Sequence, residues 1–86
     1  MSSISAAVRT VLETHGKLMS DVSTMKDSDD LYEHGMTSHA TVSVMLALEN
    51  EFDLEFPDTA LRRSSFQSID SIRDMLTSLG VADSPE

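Results

Sequence analysis

Residues 35–58 read GMTSHATVSVMLALENEFDLEFPD, and this stretch decides the fold. Its apolar residues recur at helical spacing, and the face predicted to point inward comprises Val42, Met45, Leu46 and Phe52, widened by Val44 and Leu48. Thr37 is a favoured N-cap residue because its hydroxyl can accept a hydrogen bond from an amide one turn into a helix. Pro57 forces an extended residue before it, so the chain leaves the helix there. The stretch predicts a helix from about Ser38 to Phe52.

Three further helices are predicted on either side of this one. The first runs from about Ser3 to Met19, a short one from Asp58 to about Arg63, and the last from Ile69 to Leu79, capped by Ser68 and ended by Gly80. The connection over residues 20–37 is unusually long, and Leu31 and Tyr32 are expected to anchor it in the core. The pattern predicts an all-α fold, a small four-helix bundle over residues 1–80 with a long first loop and a short third helix, followed by a flexible tail over 81–86.

The composition excludes several classes of protein. The chain has 86 residues, a formal net charge of −9 and no cysteine, which rules out disulfides, a thiolate nucleophile and cysteine-based zinc sites. A chain with this negative charge repels phosphate backbones and anionic lipids, and nucleic acids and membranes are therefore poor partners. The longest apolar run, Val44 to Leu48, is too short to span a bilayer, and the first residues lack a signal-peptide pattern. A cytoplasmic protein, monomeric when free, is expected.

The charges are unevenly distributed along the chain. Between Asp27 and Leu61 there are nine Asp or Glu residues and no Lys or Arg. Such a run is usually a solvated surface, but it also suits a docking surface for basic partners. Position in the sequence does not separate these two interpretations.

No residue pattern supports a metal site or an enzyme. The acidic cluster of residues 27–33 lacks the EF-hand spacing, since Leu31 and Tyr32 occupy positions that need an oxygen ligand and a glycine. His15, His34 and His39 do not have paired zinc-ligand spacing. Ser38 and His39 are adjacent, and neighbouring helical residues point about 100° apart, so they make a poor nucleophile–base pair. A chain this small has little room for a catalytic pocket, and we predict neither a metal site nor a catalytic residue.

The serine that opens the predicted second helix, together with the block that ends it, resembles the centre of an acyl carrier protein. That family has a Gly-x-Asp-Ser-Leu motif before an acidic-Phe-…-Pro-Asp run, and here the corresponding residues are Gly35 to His39 and the LEFPD at 54–58 preceded by LENEF at 48–52. The resemblance covers most of the chain and implies a helical bundle of acyl-carrier type. It also implies that Ser38 carries covalently bound 4'-phosphopantetheine, and that the protein is a carrier rather than an enzyme. A phosphodiester at Ser38 would lie at a helix N-terminus, which favours an anion.

Departures from the family pattern narrow the function that the resemblance implies. Thr37 replaces the usual Asp, His39 replaces an apolar residue, and Ala40 and Ser43 stand where fatty-acid carriers have acidic residues. The block from Gly35 to Ala40 is most similar to stand-alone carriers charged by amino acid:[carrier protein] ligases. The sequence therefore suggests an aminoacyl carrier, with a polyketide, lipid or other secondary-metabolite acyl carrier as the alternative. An unmodified acidic interaction module is the alternative from another class.

Three kinds of partner follow from the carrier interpretation: a phosphopantetheinyl transferase, an aminoacyl- or acyl-[carrier protein] ligase, and an enzyme that accepts the acyl group. The surface predicted to meet them comprises Thr37, His39, Thr41, Glu49, Glu51, Asp53 and Glu55.

Overall fold

Three α-helices surround one hydrophobic core in the computed structural model, which describes residues 3–19 and 21–82. The helices are α1 (Ser3–Val11), α2 (Ser38–Phe52) and α3 (Ile69–Ser78). One turn of π-helix, Leu12–Gly16, continues α1, and 3₁₀ turns occupy Val22–Thr24, Asp58–Ala60 and Arg63–Phe66. Within the described ranges there is no strand, and no helix combines the length and apolar content needed to cross a bilayer. The predicted all-α class is confirmed.

The core is formed where the three helices meet. Each helix contributes fully buried aliphatic side chains, namely Ile4 and Val8 from α1, Val44 and Leu48 from α2, and Ile72 and Leu76 from α3, joined by Leu12 and Phe66. Burying one such side chain stabilises the fold by roughly 1.5–3 kcal/mol. The helices are short, so these contacts rather than helix propensity hold them in place.

Helix α2 has the predicted limits but is rotated from the predicted orientation. Val44 and Leu48 point into the core, whereas Val42 and Leu46 are 48% and 59% exposed. Apolar residues lie on almost every side of this helix, and periodicity alone cannot orient such a helix. The predicted inward face was wrong for Val42 and Leu46.

Two other predicted helices differ from the structure. The first ends at Gly16, before the predicted Met19, because Lys17 adopts a left-handed backbone conformation (φ 50°). The predicted short third helix is replaced by two 3₁₀ turns, separated by Leu61 (φ −85°, ψ 62°) and the extended Arg62. Over residues 3–19 and 21–82 the bundle thus has three α-helices rather than four.

The C-terminal helix begins and ends as predicted. The Ser68 hydroxyl caps α3 by accepting a hydrogen bond from the Ser71 amide at 3.1 Å. Gly80 has a φ of 97°, a conformation that favours glycine, and the Val81 amide donates to the Leu76 carbonyl at 3.1 Å. Val81 also packs against the core, and the flexibility of the tail over 81–86 stays a prediction. Residues 83–86 lie outside the described range.

The long connection before α2 is tied to the bundle at several points. Leu31 is fully buried, as expected, and its amide donates to the Gln67 carbonyl at 2.7 Å. The Asp70 amide at the start of α3 donates to the Asp27 carbonyl at 3.0 Å. Near the start of the connection, Asp21 accepts hydrogen bonds from the Ser23 hydroxyl and amide, which hold the pKa of the Asp21 carboxyl below its usual value.

The side chain of Arg9 on α1 joins three parts of this connection. Its guanidinium donates to the carbonyls of Val22 (Nη1, 2.6 Å) and Met25 (Nη2, 2.8 Å) and to the Asp27 carboxylate (Nη2, 2.5 Å). Asp27 also lies 3.9 Å from Arg73 of α3. With 17% of its side chain exposed, Arg9 is sheltered enough for these charged hydrogen bonds to contribute to stability.

A glycine turn and a side-chain cap set the start of α2. Gly35 has a φ of 103°, and a Cβ there would lie 2.7 Å from Cγ of Met19. Met36 is buried in the core. The Thr37 hydroxyl then accepts from the Ala40 amide at 3.0 Å, which confirms the predicted cap.

Replacing Arg9 tests the importance of these hydrogen bonds. We expect Arg9→Gln to lower the free energy of unfolding by about 2–3 kcal/mol, since two backbone carbonyls and one carboxylate lose a charged donor. Urea unfolding followed by circular dichroism measures this. Lys17→Gln removes the same charge from an exposed side chain and should change the stability by less than about 0.5 kcal/mol. Equal losses in the two variants would show that only net charge matters.

Replacing the cap of α2 separates its structural role from that of the next residue. Thr37→Ala should destabilise the protein by about 1 kcal/mol because the Ala40 amide loses its acceptor. Ser38→Ala should have little effect, because the Ser38 side chain is exposed and has no hydrogen-bond partner among the described residues. Thermal unfolding of the two variants measures the difference. If Ser38→Ala proved the more damaging, Ser38 would have a structural role that the geometry does not indicate.

Candidate attachment site at the start of helix α2

Ser38 is the first residue of α2, and its side chain is exposed. The residues before it hold it there: Gly35 makes the turn, Met36 is buried, and Thr37 caps the helix. The hydroxyl is therefore accessible to another protein while its backbone is held on a rigid element. Such an arrangement suits a residue that is covalently modified.

The surroundings of Ser38 favour a negative charge. The first turn of α2 contains no acidic residue, and the amides of Ser38 and His39 have no acceptor among the described residues. Unsatisfied amides and the helix dipole stabilise an anion at this position by about 0.3–1 kcal/mol at an exposed site. The residues present thus fit the phosphodiester of a phosphopantetheine arm on the Ser38 oxygen.

A groove of about 250 Å³ opens beside Ser38. It lies between α2 and the segment 61–66, with one side chain from the long connection, and its lining comprises Tyr32, Ser38, Thr41, Met45, Leu61, Arg62, Arg63 and Phe66. Its floor is apolar, since Phe66 is buried and Met45 half-buried. The groove is therefore apolar at its base and cationic along one wall.

Arg62 and Arg63 form that cationic wall. The Arg63 guanidinium lies over the Tyr32 ring, 3.9 Å from its centroid, and the Tyr32 hydroxyl donates to the Arg63 carbonyl at 3.1 Å. Within the described part of the chain, neither arginine has a carboxylate within 4 Å, whereas Arg9 and Arg73 are both paired with acids. The sequence pattern alone does not mark these two residues as part of the site. The available signal was an Arg-Arg pair next to the acidic stretch, but only the fold brings it beside Ser38.

Five of the seven predicted partner-facing residues are exposed: Thr37, His39, Glu51, Asp53 and Glu55. Thr41 is not, because it is only 9% exposed and its hydroxyl donates to the Thr37 carbonyl at 2.8 Å. Glu49 is half-buried, and its carboxylate accepts from the Phe56 amide at 2.7 Å. Thr41 and Glu49 therefore stabilise the backbone, and a partner-facing role for the seven residues stays a prediction.

Much of the acidic stretch also has a structural role. Asp27 is paired with Arg9, Asp29 accepts from the Lys26 amide at 2.9 Å, and Asp30 accepts from the Tyr32 amide at 2.9 Å. Across residues 3–19 and 21–82, no group of three or more His, Asp or Glu side chains could hold a metal ion. Of the nine acids of the stretch, seven have no ion pair in those ranges: Asp30, Glu33, Glu49, Glu51, Asp53, Glu55 and Asp58.

A second cleft, of about 570 Å³, separates the end of α1 from α2. Thr10, Thr14 and Ser43 line it, and their hydroxyls donate to the carbonyls one turn earlier at 3.2, 3.2 and 3.5 Å. Leu46 forms part of its rim. These three hydroxyls are already satisfied, and the cleft borders the outer face of α2.

A family model described as "Phosphopantetheine attachment site" matches residues 3–79. The chain is also 45% identical, over 71 residues, to an aminoacyl carrier protein of Agrobacterium fabrum, a match that covers 83% of this chain and 86% of that protein. Both comparisons agree with the resemblance carried by Gly35 to Asp58.

Solved structures show the same fold. A carrier protein from Agrobacterium tumefaciens, in complex with an engineered Bradyrhizobium japonicum glycine:[carrier protein] ligase and AMP, is 44% identical, with a TM-score of 0.82 over 85% of this chain and 97% of that one. A holo acyl carrier protein from Nitrosomonas europaea is 25% identical, with a TM-score of 0.78 over 90% of this chain and 95% of that one.

The phosphopantetheine attachment family matches nearly the whole chain, and the relatives are carrier proteins. Both the family and the cofactor follow from these matches. This chain belongs to the acyl carrier protein family, as a non-catalytic carrier with 4'-phosphopantetheine as its prosthetic group and as a homologue of the aminoacyl carrier proteins.

Proposed function

We propose that this protein carries an aminoacyl group as a thioester on a phosphopantetheine arm attached to Ser38. The observation that carries the proposal is the exposed Ser38 hydroxyl at the capped N-terminus of α2, within a chain 45% identical to an aminoacyl carrier protein. When bound, the arm supplies the thiol that forms the thioester. The chain has no cysteine of its own to compete for the acyl group.

The residues around Ser38 bind and orient rather than catalyse. Thr37 fixes the first turn, the amides of Ser38 and His39 face the attachment position, and the buried Met36 keeps the turn from moving. Proton transfer at the Ser38 hydroxyl, and at the amino acid during loading, is left to the partner enzymes. The expected partners are a phosphopantetheinyl transferase, an amino acid:[carrier protein] ligase and a downstream aminoacyl acceptor.

We propose the outward side of α2 as the docking face for the ligase. Successive residues of a helix are rotated by about 100°, so His39, Val42 and Leu46 share one sector, which Asp53 continues past the end of the helix. Val42 and Leu46 are exposed at its centre, and the acid lies at its far end. The centre of the docking face is therefore apolar, and we expect the acids at its edge to affect association rate more than affinity.

We also propose a cytoplasmic location. The arm is donated by coenzyme A, and a ligase that forms an aminoacyl thioester consumes ATP, so both steps need metabolites that are abundant in the cytoplasm. The carrier of a polyketide, lipid or other acyl group remains the second candidate, supported by the fold shared with the holo acyl carrier protein of Nitrosomonas europaea.

Attachment is tested by intact mass. Co-expression with a broad-specificity phosphopantetheinyl transferase should add one phosphopantetheine to the protein, and Ser38→Ala should abolish the gain because the acceptor oxygen is missing. Ser43→Ala is the matched control, since this serine lies on the same helix and its hydroxyl is hydrogen-bonded to His39. Wild-type protein that stayed unmodified would instead support an unmodified interaction module.

Cargo is tested with the holo-protein. Incubation with ATP, a glycine:[carrier protein] ligase and each of the small amino acids should produce a hydroxylamine-sensitive mass increase for at least one of them. Glycine is the first choice because the ligase in the complex with the Agrobacterium tumefaciens carrier is a glycine ligase. Loading by fatty acyl groups alone, with an acyl-[carrier protein] ligase, would favour the acyl-carrier alternative.

The docking face is tested by comparing an apolar with an acidic substitution. Leu46→Ala should lower kcat/KM of the ligase by about tenfold, equivalent to about 1.4 kcal/mol, at low and at high salt alike. Asp53→Asn keeps a residue that tolerates the left-handed conformation (φ 51°), and its smaller effect should disappear at high salt. Both side chains are exposed, so unfolding curves should stay close to wild type. A large, salt-sensitive loss of kcat/KM in Asp53→Asn, with no loss in Leu46→Ala, would show that docking is electrostatic.

A further inference from the structure

We propose that the groove beside Ser38 binds the phosphopantetheine arm itself, with Arg62 and Arg63 holding the phosphodiester and the apolar floor receiving the methyl groups of the pantoyl unit. The inference rests on the proposed attachment at Ser38. It assigns a binding role to the 61–66 segment, which lies across the groove from the helix that bears the attachment residue.

The charges of the groove match a phosphodiester. The chain is strongly acidic overall, yet two of its six basic residues line this groove. Neither has an acid partner in the described ranges, while Arg9 and Arg73 are engaged with Asp27 and Asp70. Guanidinium groups bind phosphate oxygens with two parallel hydrogen bonds, so the pair has the chemistry that the arm's anion needs.

The Arg63 side chain and backbone are already restrained by contacts within the protein itself. Stacking on the Tyr32 ring restricts the Arg63 guanidinium, and the hydrogen bond from the Tyr32 hydroxyl holds the backbone of Arg63. Less side-chain entropy is therefore lost when Arg63 binds an anion. Arg62 is exposed and extended, so it can approach the same anion from the rim.

The remainder of the groove suits the apolar part of the arm. Met45 and Phe66 form its floor, and Leu61 is 43% exposed at its edge. The groove has a volume of about 250 Å³. The pantoyl unit, with two methyl groups on one carbon, is the portion next to the phosphate and would reach these side chains first.

Covalent attachment makes weak contacts sufficient. A ligand tethered at the mouth of the groove is present at an effective concentration in the millimolar range, so contacts of modest energy produce a substantial docked population. Both arginines are exposed, so this population should fall as salt screens their charges. The arm would then be released to a partner rather than held permanently.

The test compares apo- and holo-protein by ¹H–¹⁵N NMR, after intact mass has shown the holo form. We expect attachment to shift the amides of Tyr32 and Leu61–Arg63 as well as those next to Ser38, and to produce contacts between the pantoyl methyls and Met45 or Tyr32. In Arg62→Gln/Arg63→Gln, the shifts at Leu61 and Tyr32 should at least halve. Lys17→Gln/Lys26→Gln removes the same charge from exposed positions that do not line the groove and should leave these shifts unchanged.

The possible results separate this inference from the proposed function. No mass gain at all overturns both, because the arm is then not attached. Attachment with shifts confined to Thr37–Ala40, or shifts at Leu61 that survive both arginine substitutions, overturns the docking groove and leaves the carrier function intact. Loss of ligase activity in the arginine variants with unchanged pantoyl contacts also overturns it, since Arg62 and Arg63 would then contact a partner. Loss of the shifts on raising the ionic strength from about 0.01 M to about 1 M supports it.

Discussion

The position of Ser38 depends on how the long connection between α1 and α2 is held, and Arg9 holds the first part of it, from Val22 to Asp27. Its guanidinium reaches from α1 to two carbonyls and a carboxylate of the connection. Asp27 is then linked through its carbonyl to α3 and through its carboxylate to Arg73. A connection of this length loses much conformational entropy on ordering. Charged hydrogen bonds from one side chain to several parts of it offset part of that loss.

The features that could be predicted from the sequence are those set by residues close together along the chain. The limits of α2 and its Thr37 cap are decided by residues within one helical turn, and both are seen in the structure. The rotation of α2 is decided by its neighbours. Val44 rather than Val42 enters the core because α1 and the turn Leu12–Gly16 lie on that side, and no spacing rule distinguishes two valines of one apolar helix.

The other differences have the same origin. Thr41 and Glu49 look like surface residues in a sequence, but their polar atoms bond to backbone at the start and after the end of α2. The short third helix was expected from its pattern, yet Leu61 leaves the helical region after only three residues. The groove beside Ser38 could not be predicted, because Tyr32 and Arg63 are far apart in the sequence and come into contact only in the folded protein.

Ser38 lies at the boundary between two surfaces of unlike chemistry. On one side is the outward side of α2 proposed as the docking face, with Val42 and Leu46 exposed, and on the other is the groove with its two arginines. An arm resting in the groove leaves the docking face open, so a partner can bind before the arm moves. In the proposed arrangement the partner would have to supply interactions with the phosphodiester that exceed those of Arg62 and Arg63, which would couple recognition of the carrier to release of its cargo.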